Sequence, residues 1–88
     1  MYEVQVIPTD SEPRDEIIEK GNVLKGLQTL VGGYIETVPV LENPDIIMIV
    51  NEEGLIHGLP FNMVASQIAR QQIVGTAVLV PVEMLDDE

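Results

Sequence analysis

The stretch from Leu24 to Val40 constrains this chain most. There a short helical pattern runs into Gly32-Gly33 and emerges as the alternating Tyr34-Ile35-Glu36-Thr37-Val38. Val23, Leu27, Leu30 and Val31 recur at the spacing that lines one face of an α-helix. Gly32 stands where a helix needs a left-handed residue to stop, a conformation that glycine adopts without a Cβ clash. Beyond it, period-two alternation places Tyr34, Glu36 and Val38 on one side of a strand and Ile35 and Thr37 on the other. A helix feeding directly into a strand demands a mixed fold. No chemistry is written in the joint itself.

The remaining pattern fills in the same class. Tyr2–Ile7 alternates and ends at Pro8, which reads as a first strand. The segment from Pro8 to Arg14 is polar and turn-rich, and Asp15–Lys20 fits either a short edge strand or a helical turn. Asn22 is placed to cap the helix Val23–Val31, within which Gly26 costs about 1 kcal/mol against alanine unless it admits a close neighbour. Ile46–Val50 is the most apolar strand and the natural sheet centre. Asn51-Glu52-Glu53-Gly54 reads as a hairpin turn, with Leu55-Ile56-His57 as a brief return strand. Asn62 caps a second helix over Met63–Gln71, and Ile73–Val82 is a last strand interrupted at Gly75. The expected fold is α+β: a small, mostly antiparallel sheet with two short helices packed on one face. A single domain over residues 1–82 is followed by an acidic tail over 83–88.

Size and charge limit the function. A chain of 88 residues buries only about 60–65% of its extended surface, so its core is thin and self-association would help it. The 45% hydrophobic content is aliphatic, with one Phe, two Tyr and no Trp, which disfavours base stacking on an aromatic platform. Fifteen acids face only Arg14, Lys20, Lys25 and Arg70, for a net charge of −11. Such a balance opposes direct binding to DNA, RNA or anionic lipid. It suits solubility, or an acidic surface that competes with nucleic acid for a basic partner. The absence of cysteine excludes disulfides and thiolate metal sites. The opening residues show no secretory pattern, and Ile73–Val82 is too short to span a bilayer, so a cytoplasmic protein is expected.

Catalytic groups are sparse. His57 is the single histidine, so two-histidine metal sites cannot form within one chain. Neither Ser11 nor Ser66 is set in a nucleophile elbow. Glu52, Glu53 and Asn51 could offer oxygen atoms to a cation, but adjacent acids in an extended segment point apart, and turn chemistry accounts for them. No metal, cofactor or enzymatic activity is expected. Two places suit a small ligand. One is the N-terminus of the second helix, where Asn62 and free backbone N–H groups could meet an anion, with Arg70 supplied by a neighbouring subunit. The other pairs Tyr34, as a stacking surface, with Glu36 as an acceptor. Together with Asn51, these are the candidate binding residues.

Four ordered blocks, Leu27–Glu36, Asn51–Gly54, Leu59–Asn62 with Ala65, and Ile73–Thr76, resemble the family known as domain of unknown function 3846, over about Val23 to Val80. That family is widespread in bacteriophages and mobile elements, and the resemblance implies an intracellular accessory protein. By analogy of context and size it suggests a homo-oligomeric sponge that sequesters a small nucleotide-derived immune signal. The alternatives are an acidic inhibitor that binds a host defence or restriction protein by charge mimicry of nucleic acid, and a plain structural adaptor.

Overall fold

The computed structural model describes residues 1–86. Its elements are β1 (Tyr2–Ile7), β2 (Arg14–Ile18), α1 (Val23–Val31), β3 (Ile35–Pro39), β4 (Ile46–Asn51), α2 (Met63–Ala69) and β5 (Ala77–Pro81). A 3-10 turn over Val82–Asp86 follows. The five strands form one sheet in the order β2-β1-β5-β4-β3, and every neighbouring pair is antiparallel. The α+β class and the antiparallel sheet are as the sequence predicts.

The ambiguous segment after Arg14 resolves as edge strand β2, with Ile18 opposite Tyr2 and Asp15 opposite Gln5. Gly26 does admit a close neighbour. A Cβ there would stand 3.1 Å from a methyl carbon of Ile18, so α1 lies tight against the sheet edge. Gly32 ends α1 at φ +80°, its N–H donating to the Gln28 carbonyl at 2.8 Å. Asn22 precedes α1 without a side-chain cap bond; its backbone carbonyl accepts from Gly26 instead.

Helix placement departs from the expectation. Residues paired across strands share a face, so the ladder register sorts every strand residue to one side or the other. One face carries Val4, Val6, Ile49, Val78 and Val80, which pack with Val23, Leu27 and Val31 of α1 and with Met84. The opposite face carries Ile7, Met48, Val50 and Ala77, which pack with Ala65 and Ala69 of α2. The two helices therefore lie on opposite faces, not on one. The cause is legible in β4, where consecutive Met48, Ile49 and Val50 are all buried; a strand apolar at both parities needs cover on both sides.

Three boundaries also move. Leu55–His57 forms turns, with His57 N–H bonded to the Glu53 carbonyl and Gly58 N–H to that of Leu55. A return strand has no edge to join, because β4 is flanked by β3 and β5. α2 stops at Ala69, since Arg70 takes the left-handed conformation at φ 59°. The last strand begins at Ala77, while Val74 makes an isolated bridge with Phe61. Of the expected tail, residues 83–86 fold into the 3-10 turn and send Met84, 0% exposed, into the core under α1; Asp87 and Glu88 lie outside the described residues.

Candidate functional site

α1 is nine residues long and covers its face from β2 to β4, whereas α2 is seven residues long. α2 reaches only the end of the other face marked by Ile7, Ala77, Met48 and Val50. What it leaves bare is a concavity of about 690 Å3. The floor comes from Gln5 of β1, Leu79 and Pro81 of β5 and Ile46 of β4, neighbours by register: Gln5 opposite Leu79, and Ile46 opposite Pro81. Around it stand Glu3, Asp15, Asp45 and Glu83, and no lysine or arginine lines it.

Each rim acid is positioned by a local feature. Glu3 follows from the alternation of β1, whose Val4 and Val6 turn inward toward α1. Asp15 lies opposite Gln5 on the edge strand. Asp45 is held in a turn in which its N–H donates to the Asn43 side-chain oxygen at 3.1 Å, and its carbonyl accepts from Val82 at 2.9 Å. Glu83 is carried to the rim by the turn that buries its neighbour Met84. Four carboxylates around a half-apolar floor, on a chain of net charge −11, create a field that repels anions and attracts cations. Chemically the surface offers hydrogen-bond acceptors and apolar contact.

The five residues expected from sequence do not form one site. Asn62 is 1% exposed. Its side-chain oxygen accepts from Ala65 N–H at 3.0 Å, and its amide nitrogen donates to the carbonyls of Ile7 at 2.8 Å and Gly75 at 2.9 Å. It therefore caps α2 as predicted, and in doing so ties α2 to β1 and to the approach to β5. Asn51 is likewise buried: its amide donates to the Val31 carbonyl, and its oxygen accepts from Glu53 N–H at 2.8 Å. It locks the end of α1 to β4. Both amides are engaged inside the fold instead of facing a ligand.

Arg70 is exposed, ion-paired with Glu42. Tyr34, 66% exposed, borders a shallow hollow with Lys25, Gln28, Thr29, Gly33 and Glu53. Glu36 borders a separate groove that Asn51, Leu55, Ile56 and Gln72 also line. His57 stands 3.3 Å from the Glu53 carboxylate, and the Ser66 hydroxyl bonds the backbone of Ile73, so the two are engaged apart. Sequence reasoning missed the acidic rim because its members come from four separated segments. The available signal was the polar parity of Glu3 and Gln5 beside a fully apolar opposite parity.

The chain belongs to the family described as domain of unknown function (DUF3846), whose model matches residues 2–87. The match extends the resemblance across the first strand and the C-terminal turn. No curated protein and no solved structure matches the chain.

Proposed function

We propose that this chain is a non-catalytic inhibitor that docks through its open, acid-rimmed sheet face onto a basic partner protein, occupying the surface the partner offers to nucleic acid. The supporting observation is the composition of that face: Glu3, Asp15, Asp45 and Glu83 around Gln5, Ile46, Leu79 and Pro81, without a cation. Charge complementarity selects a lysine- and arginine-rich partner and speeds the encounter, and the apolar floor holds what the field has steered in. The bare strip spans three strands, that is two spacings of roughly 4.8 Å, which matches one α-helix of about 10 Å diameter. The occupant is accordingly a basic amphipathic helix of the partner. Restriction and defence enzymes that grip nucleic acid present such surfaces.

Sequestration of a nucleotide-derived signal is the weaker reading. Such a ligand is anionic, and Asn62 and Asn51 are committed to backbone groups. The test is affinity capture from a host lysate at low salt, with wild type and with the charge-reversed Glu3→Lys/Asp45→Lys variant. Wild type retains a basic nucleic-acid-binding protein that duplex DNA displaces and high salt releases; the variant does not. Retention unchanged by the reversal contradicts the reading. So does an intact nucleotide that co-purifies with the protein and is released only on heat denaturation, which would establish a sponge.

A further inference from the structure

We propose that the free edge of β3 is a docking site for an extended, basic segment of a partner protein, which adds to the sheet as a further strand. The hydrogen-bond parity of β3 follows from one contact. Glu52 N–H donates to the Tyr34 carbonyl at 2.8 Å, and the register sets these two opposite each other, one step beyond Ile35 and Asn51. Bonding alternates along an antiparallel pair, so Glu36 and Val38 also bond to β4, while Ile35, Thr37 and Pro39 turn their backbone groups the other way. β3 ends the sheet on that side. The N–H and C=O groups of Ile35 and Thr37 therefore point off the sheet, where an incoming strand can pair with them.

The opposite edge of the sheet is guarded and this one is not. β2 carries Arg14, Asp15 and Glu16 among its five residues, with Arg14 and Glu16 ion-paired at 2.9 Å. β3 carries a single charge, Glu36, and Pro39 blocks only its far end. A densely charged edge discourages strand addition; Ile35-Glu36-Thr37-Val38 does not.

Charge identifies the occupant. Glu36 lies opposite Val50, hence on the α2 face, and Glu52, two residues beyond Val50, is its diagonal neighbour there. Neither carboxylate is ion-paired among the described residues. Both line a groove of about 370 Å3 with Glu53, Leu55 and Gln72, and no lysine or arginine lines it. Like charges this close repel, and a cation placed between them relieves the repulsion. On an added antiparallel strand, the residue opposite Glu36 stands on that same face, in a closely spaced non-bonded pair. A lysine or arginine there reaches over Glu36 into the groove. Its two neighbours fall opposite Ile35 and Thr37 and turn to the α1 face, where Ile35 packs against the core; apolar β-branched residues suit them. Main-chain bonds supply affinity, and the alternate side chain supplies selectivity. A second copy fits poorly, because β3 against β3 would bring two such grooves together in chains each of net charge −11. The edge shares no residue with the acid-rimmed concavity, so the two surfaces can be occupied independently.

The probe is a capped synthetic peptide, Ser-Thr-Val-Lys-Val-Thr-Ser, titrated into the labelled protein and followed by nuclear magnetic resonance. Amide shifts are expected from Ile35 to Val38 and at Glu52, with slowed hydrogen exchange at the N–H groups of Ile35 and Thr37. Methylating both valine nitrogens keeps the charge and removes the strand's donors, and should weaken binding about tenfold or more. A peptide with glutamate in place of lysine should not bind. In the protein, Glu36→Lys should abolish binding. Thr37→Pro removes an outward N–H, as Pro39 already lacks one, and should weaken binding with an unchanged circular dichroism spectrum. Should Thr37→Pro unfold, the methylated peptide tests the same bonds on wild type. No binding at millimolar peptide overturns the proposal, as does equal binding by the methylated peptide, or shifts centred on Glu3 and Leu79. Exchange at Ile35 and Thr37 that slows with protein concentration alone would place a second copy on the edge, and the proposal fails.

Discussion

On the face beneath α1, Val4, Val6, Ile49, Val78 and Val80 are all at most 2% exposed, sealed by Leu27 and closed at one end by Met84. On the other face the same strands turn out Glu3, Gln5, Leu79 and Ile46, and the short α2 covers only the end near Ile7 and Ala77. One sheet thus has two unlike faces. The α1 face supplies the core that holds the strands in register; the α2 face keeps three strands half bare and rims them with acids. A domain of this size has little apolar surface to spare. Leaving Leu79 and Ile46 partly in water while acids surround them is what the proposed docking would require, and it gives up burial that would add to stability.

Substitutions can sharpen or break that contrast. The largest effect is expected for Leu27→Ala, a fully buried position in α1, which should cost about 2–5 kcal/mol in urea unfolding. Leu79→Ala, on the open face of the neighbouring layer, should cost roughly 1 kcal/mol. Equal losses would mean that the two faces are packed alike. Next comes Asn62→Ala. It removes the α2 cap and strands the carbonyls of Ile7 and Gly75, and a loss of about 2–3 kcal/mol should appear in the same titration. A loss within about 0.5 kcal/mol would remove Asn62 from its structural role.

Arg70→Gly should instead raise stability, by about 0.5–1 kcal/mol in thermal unfolding. Glycine takes the positive φ of that position without a Cβ penalty, and the exposed ion pair with Glu42 contributes little. A marked drop would show that the Arg70 pair matters more than its exposure implies. The smallest change in stability, within about 0.5 kcal/mol, is expected for Glu3→Lys/Asp45→Lys, even though this variant should abolish partner capture. If it unfolds the protein, the rim acids belong to the fold and the contrast between the faces collapses.

Much of the fold was legible because it rests on local rules. Gly32 stops α1 and Asn62 starts α2 through backbone geometry that neighbouring residues dictate. Tyr2–Ile7 is a strand by its alternation. Non-local decisions were less visible. Leu55–His57 has strand composition, yet β5 had already taken the edge of β4 that a return strand would need. The opposite placement of the two helices depends on the register of β5 between β1 and β4, although the run Met48-Ile49-Val50 signalled a strand buried on both sides. The acidic rim was hidden for the same reason. Glu3, Asp15, Asp45 and Glu83 are scattered along the chain, and only sheet order brings them around one concavity. Asn62 is legible as the cap of α2, but the sequence offers Asn51 and Asn62 as ligand contacts, and only the fold shows their amides tying elements together.

The most direct test of the docking face is a nuclear magnetic resonance titration of the labelled protein with a synthetic amphipathic helix of leucine and lysine, against a sequence-scrambled control of equal charge. Docking on the open face should give amide shifts concentrated at Glu3, Gln5, Asp45 and Leu79, reduced in high salt and much weaker with the scrambled peptide. Shifts spread over all acidic segments alike, or equal for both peptides, would contradict it: the surface would then be merely acidic, with no shaped site for a basic helix.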